Sequence, residues 1–168
     1  MTTFDLRTLR IRSGDQAREQ VEIELEPLVL GGQSYEPRPN PAPAELAVTR
    51  ASSGTVLELG FDVTLEGPCF RCLTDAELPV SLRLREYEAT KPEDEEERTE
   101  YLADDRLDLS AWAHDAIALA LPDKILCRPG CAGLCPVCGK DLNAEPHEHT
   151  EEVSDPRWEK LSELREGS

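Results

Sequence analysis

The chain has 168 residues, a formal net charge of -17 at pH 7 and six cysteines. That length accommodates one domain with a real core plus a tail, burying roughly 70% of the unfolded surface, and leaves no room for two large domains. No apolar run is long enough to span a membrane, and the start Met1-Thr2-Thr3-Phe4-Asp5-Leu6-Arg7 lacks the charged start and apolar run of a signal peptide, so a soluble cytoplasmic protein is expected. In a reducing compartment six cysteines are better explained by thiolate–metal bonds than by three disulfides.

The charge is unevenly spread. Glu93 to Asp108 holds nine acidic and two basic residues, and Asp141 to Ser168 nine acidic and three basic. Solvated segments explain such runs in the ordinary case, while an acidic surface facing a basic partner is the functional alternative. Either way the balance argues against affinity for a naked phosphate backbone, which requires clustered Lys and Arg.

Asp5 to Arg12 reads as a short strand or edge segment. Glu19 to Glu26 alternates with apolar residues on one face, the pattern of a half-buried strand. Pro27 closes it, Leu28-Val29-Leu30 is a short apolar run, and Gly31-Gly32 marks a turn. Four prolines between Pro37 and Pro43 predict a surface loop that cannot hold a ladder. Ala44–Arg50 and Thr55–Leu65 read as an antiparallel hairpin around Ser52-Ser53-Gly54. The second strand runs into Gly67-Pro68-Cys69, and alternation resumes from Leu78 to Glu88, which places Cys69 and Cys72 at a hairpin tip. An acidic loop is expected over 91–108, with a short strand at Tyr101-Leu102-Ala103. A helix follows over 109–121, capped by Asp108 or Ser110 and ended by Pro122. Its stripe of Leu109, Trp112, Ala113, Ala116, Ile117 and Ala120 is expected to pack on the sheet. A terminal helix from Pro156, with Trp158, Leu161 and Leu164 on one side, is also possible. The expected class is α+β: a mainly antiparallel β-sheet with one packed helix over residues 1–122, and a metal-binding, acidic C-terminal tail over 123–168.

The most informative stretch is Cys127-Arg-Pro-Gly-Cys131-Ala-Gly-Leu-Cys135-Pro-Val-Cys138-Gly139-Lys140, four cysteines within twelve residues. A C-x2-C turn supplies two thiolates with backbone N–H groups directed at the sulfurs, as tetrahedral zinc requires. With the Cys69/Cys72 pair and with His147 and His149, eight candidate ligands make two complete tetrahedral sites. One division joins Cys69, Cys72, Cys127 and Cys131, leaving Cys135, Cys138, His147 and His149 as a local set. The other pairs the two C-x2-C knuckles in a zinc-ribbon-like site and leaves Cys127 and Cys131 with the histidines. Spacing alone favours neither. His114, a lone helical histidine, is set aside.

The order Gly-Pro-Cys69-x-Arg-Cys72-Leu, acidic loop, Asp108-Leu109, Ala118-Leu-Ala-Leu121-Pro122, the cysteine cluster through Asp-Leu-Asn143, then Asp155-Pro156-Arg157-Trp158, resembles the YceD family, the bacterial and plastid large ribosomal RNA subunit accumulation proteins. The resemblance covers the chain from about Leu46 onward. It implies a role in 23S ribosomal RNA accumulation, with no assigned catalytic residue, and the family's gene often lies beside that of a small basic large-subunit ribosomal protein. Members that lack the Cys135/Cys138 knuckle imply two separable sites and so the first division. Many members carry Cys-x-Cys where this chain has His147-Glu-His149, a departure that preserves zinc ligation but makes the site less negative.

The expected function is therefore non-enzymatic: a zinc-binding factor, with two ions, that supports 23S rRNA accumulation and large-subunit assembly. No nucleophile–base pair or phosphate-binding glycine loop is present in the sequence. The expected partner is a basic ribosomal or assembly protein, with a direct or indirect link to 23S rRNA, and neither a membrane nor a small-molecule substrate is expected. The alternatives are a zinc-ribbon-like adaptor in transcription or another assembly, and a C-x2-C dithiol redox protein.

Overall fold

A computed structural model describes residues 1–91 and 98–149. The acidic run Glu93–Glu97 and the terminal segment with Trp158, Leu161 and Leu164 lie outside the described residues. Two compact units divide after Cys131, the second beginning at Ala132. Sequence reasoning places that boundary after Pro122. The difference has a local cause, since Phe70 N–H donates to the Ile125 carbonyl at 2.8 Å and Arg71 Nη1 to the Cys131 carbonyl at 2.7 Å, tying 123–131 to the first unit.

The first unit is mostly antiparallel sheet. Its strands are β1 (Thr3–Asp5), β2 (Gln16–Ile23), β3 (Leu28–Leu30), β4 (Gln33–Arg38), β5 (Ala42–Arg50), β6 (Gly54–Pro68), β7 (Asp75–Ala89), β8 (Leu102–Ala103) and β9 (Arg106–Asp108), followed by helix α1 (Leu109–Ala120). The spine is β6. It pairs with β7 from Gly54↔Ala89 to Pro68↔Asp75, and along its other edge first with β5, over Thr55–Phe61, and then with β4, over Thr64–Glu66. Outer strands β2 and β3 pair with β5 and β4. Alternation along β6 and β5 buries Leu57, Leu59, Phe61, Leu65, Leu46 and Val48 on the core face, and each of these side chains is at most 2% exposed. Among the intervening positions Glu45, Glu58, Asp62 and Glu66 are charged and exposed, whereas Val56, Gly60 and Thr64 are half-buried and Ala47 is buried.

The proline-rich stretch departs from expectation. Pro37 pairs with Leu65 and Pro43 with Glu22, so only Pro39-Asn40-Pro41 is loop, with cis peptides before both prolines. A ladder uses only alternate N–H groups on each side of a strand, and each of these prolines lies where one side is unpaired. β3 joins β4 only as far as Tyr35, and β6 joins β5 only from Ala44. The loop residue Asn40 is held by the Leu25 backbone, its Oδ1 accepting from Leu25 N–H at 3.1 Å and its Nδ2 donating to the Leu25 carbonyl at 2.8 Å.

Residues 5–12 and 91–108 also differ. Asp5 caps a short 3-10 helix at Leu6–Leu9 in place of a longer edge strand. The expected acidic loop ends in the β8–β9 hairpin, where Asp104 and Asp105 take φ of 51° and 62° as a tight primed turn demands. β9 pairs with β1, so the N-terminus and the strand leading into α1 are zipped together. Asp108 caps α1, its side chain accepting from Ala111 N–H at 3.0 Å, and the helix buries Leu109, Trp112, Ala113 and Ile117. Ala116 is half-buried and Ala120 exposed, so the packed stripe is narrower than its sequence pattern.

Candidate metal centres

The β6–β7 hairpin carries its tip as a tight turn. Cys69 N–H donates to the Thr74 carbonyl at 2.7 Å and Leu73 N–H to the Cys69 carbonyl at 3.0 Å. Leu73, directly after Cys72, takes φ of 61°, which lets the chain turn back from the second cysteine into β7. Beneath the tip, Gly67 leaves space for an aromatic ring: a Cβ there would lie 2.5 Å from Tyr35 Cδ1 and 2.7 Å from the Ser34 carbonyl. The Tyr35 hydroxyl donates to the Pro68 carbonyl at 2.9 Å, anchoring the strand end that presents Cys69.

Against this tip lie Cys127 and Cys131. The ligand atoms of Cys69, Cys72, Cys127 and Cys131 are all within 4.8 Å of one another. Cys69 Sγ is 3.9 Å from Cys131 Sγ, and Cys72 Sγ is 3.6 Å from Cys127 Sγ. These separations are far beyond the ~2.05 Å of a disulfide. Four thiolates around a cation at ~2.3 Å would have edges of about 3.8 Å, so the spacing fits a tetrahedral metal. Burial works against a Cys69 thiolate, yet N–H groups of Cys72, Cys127 and Arg71 directed at the sulfur outweigh it and bring its pKa to about 6. Cys72 is lowered by hydrogen bonds from the Thr74 side chain, at 3.0 Å, and backbone. Cys127 is pushed up to about 11 by its hydrogen bond to Cys72 and by burial. Without a cation, the crowded sulfurs cannot all hold negative charge.

The second unit has its own complete set. Cys135, Cys138, His147 and His149 also place their ligand atoms within 4.8 Å of one another. Cys135 N–H donates to the Lys140 carbonyl and Gly139 N–H to the Cys135 carbonyl, both at 2.8 Å, and Leu134 bridges Asp141. Gly139 has φ of 72°, the left-handed exit that a C-x2-C-G turn needs. Asp141 Oδ1 accepts from Asn143 N–H at 2.8 Å, and Asn143 Oδ1 accepts from Ala132 N–H at 2.8 Å, closing the unit on itself. His147 Nε2 lies 3.1 Å from Cys138 Sγ, while its Nδ1 is 2.8 Å from the Glu145 carbonyl, which orients the ring as a metal-bound imidazole is oriented. The carbonyl of Glu145 and then Cys135 raise the His147 pKa, and the N–H of Cys138, opposed by burial and aided by Val137, brings Cys135 to about 6.

All eight candidate ligands thus fall into two groups that follow the first division, each within a single unit. His114 joins neither and sits 3.3 Å from Asp115. Sequence reasoning missed two supporting residues, Arg71 and Thr74. Their positions inside and just after the first C-x2-C were the available signal.

An antiparallel β unit whose hairpin tip closes a four-cysteine set, followed by a small Cys2His2 unit, defines a protein with two candidate metal centres. The chain belongs to the YceD family: the family described as Large ribosomal RNA subunit accumulation protein YceD matches residues 57–165. Uncharacterized proteins of Mycobacterium tuberculosis and Mycobacterium bovis are each 37% identical over 125 residues, covering 71% of this chain and 60% of the relative. One of Mycobacterium leprae is 37% identical over 101 residues, covering 57% of this chain and 46% of the relative. The chain therefore spans about 60% of the length of the first two curated relatives. No solved structure matches it. Among the described residues no helix is long and apolar enough to cross a membrane.

Proposed function

We propose that the chain is a non-enzymatic cytoplasmic factor that supports accumulation of 23S ribosomal RNA and assembly of the large ribosomal subunit, binds two zinc ions, and acts through a basic ribosomal or assembly protein. The observation that carries this reading is the family match over residues 57–165, a span that contains all eight ligands. Cys69, Cys72, Cys127 and Cys131 would hold one ion, and Cys135, Cys138, His147 and His149 the other. With four protein donors in each set, bound zinc supplies a structural cross-link and no open coordination position. The chain's own residues do the rest. Backbone N–H groups stabilise the Cys69 and Cys135 thiolates, and the Glu145 carbonyl fixes the ring of His147.

A dithiol redox role fits less well at Cys69 and Cys72, which are only 0% and 6% exposed where an active thiol must be accessible. Cys138 is exposed, and at that pair it is the grouping of Cys135 and Cys138 with His147 and His149 that favours metal. The partner's chemistry follows from the charge of -17, which repels phosphate and attracts a basic protein. Depletion from growing cells is the test: the ratio of mature 23S to 16S rRNA is expected to fall and to recover with the wild-type gene. An unchanged ratio contradicts the reading, and recovery of the tagged protein with transcription complexes in place of large-subunit components would favour an adaptor.

A further inference from the structure

Helix α1 has two contrasting sides. Leu109, Trp112, Ala113 and Ile117 are buried, while Ala111, His114, Asp115, Ala118 and Leu119 recur on the more accessible stripe. A helix facing water ordinarily carries Lys, Arg and Glu there. This one contains none, and Leu119 is 89% exposed. Beside Ala111 and Asp115 runs a groove of about 610 Å³. Leu25, Pro41 and Ala111 give it apolar lining, and Glu24, Glu26 and Asp115 make it acidic. Its walls are well fixed: Ser110 Oγ accepts from Thr2 N–H and donates to the Glu24 carbonyl, both at 2.7 Å, and Asn40 is clamped on Leu25. Within the groove the Met1 nitrogen donates to Glu24 Oε2 at 2.5 Å.

Charge selects among possible occupants. Residues 150–168 of this chain carry six acidic and three basic residues, a second copy brings a further -17, and RNA is polyanionic, so all three are repelled. We propose that the groove and the outer face of α1 dock a basic, apolar-anchored segment of a partner protein. Lys or Arg side chains meet Glu24, Glu26 and Asp115, and an apolar side chain covers Leu119 and the groove floor. This rests on the reading of a basic partner given above and assigns that partner a place on the chain.

The test uses three versions of the full chain, immobilised and exposed to the unfractionated proteins extracted from purified large ribosomal subunits. The first is wild type. The second carries Glu24→Lys, Glu26→Lys and Leu119→Ser, at exposed side chains outside the core, of which Glu24 and Glu26 face Met1. The third is a matched control, Glu19→Lys, Glu77→Lys and Val29→Ser, with the same change in net charge at exposed positions away from the groove. Equal melting temperatures establish that all three are folded. Retention of the same basic protein by wild type and control, with at least a tenfold loss in the groove variant, is the expected result. Equal retention by all three, or equal loss in both variants, overturns the docking site and leaves the basic-partner reading standing. If wild type retains no basic protein, or binds only 23S RNA added in its place, both fail.

Discussion

Replacing Cys69 by Ser removes one donor from the four-cysteine set, and the consequence can be estimated from the segment Ile125–Cys131 that the set pins to the hairpin tip. Apart from the sulfurs, the contacts that hold that segment include the Phe70 N–H bond to the Ile125 carbonyl at 2.8 Å, the Arg71 bond to the Cys131 carbonyl at 2.7 Å, and burial of Ile125, which is 2% exposed. At about 1 kcal/mol for the neutral bond and about 2 for the charged one, with about 2 for the isoleucine, these contacts supply roughly 5 kcal/mol. Ordering about seven residues costs roughly 7–14 kcal/mol in backbone entropy. The shortfall lies within the roughly 10 kcal/mol that a structural zinc site contributes. Cys69→Ser is therefore expected to release residues 123–131 while the paired body of the β6–β7 hairpin stays folded. Trypsin should cut after the exposed Lys124 at least ten times faster, and the Phe70 amide should lose its protection from hydrogen exchange. Loss of zinc with unchanged cleavage at Lys124 and unchanged Phe70 exchange would refute the reasoning, because other contacts would then hold the segment.

Changing His147 and His149 together to Ala should remove about one zinc per chain and leave the far-ultraviolet circular dichroism of the β-rich unit unaltered; loss of both metals with unfolding would show that the sets are not independent. Gly67→Ala places a Cβ 2.5 Å from the Tyr35 ring and 2.7 Å from the Ser34 carbonyl, so β4 must shift. A loss of about 1–3 kcal/mol is expected in urea unfolding, at unchanged slope, and a midpoint equal to wild type would contradict it. Replacing Glu93, Asp94, Glu95, Glu96 and Glu97 with Ser should slow association with a basic partner much more than it speeds dissociation, measured by surface plasmon resonance at low and high salt.

Much of the body was legible because its signals are local. Alternation from Thr55 to Leu65 and from Leu78 to Glu88 reports a one-sided sheet, and a C-x2-C between the two strands puts sulfurs at their tip. Asp108 before Leu109 and Pro122 after Leu121 bracket the helix by capping chemistry alone. Other features depend on partners far along the chain. Three-residue strands such as β1 and β9 bear no periodicity, and their pairing joins Thr3 to Asp108. Pro37 and Pro43 read as ladder breakers because composition does not tell which side of a strand is unpaired. The same limit applies to the ligands. Eight donors are visible in one dimension, but their grouping depends on where Cys127 and Cys131 sit relative to a hairpin more than fifty residues away. The groove beside α1 is assembled from β2's end, the cis-proline loop and the helix, so no single stretch announced it.

Native mass spectrometry of the chain purified without chelator counts the bound ions directly. Close to two zinc ions per chain are expected, with one remaining after His147→Ala and His149→Ala. A metal-free mass accompanied by six thiols that all react freely with an alkylating reagent would contradict the two metal centres.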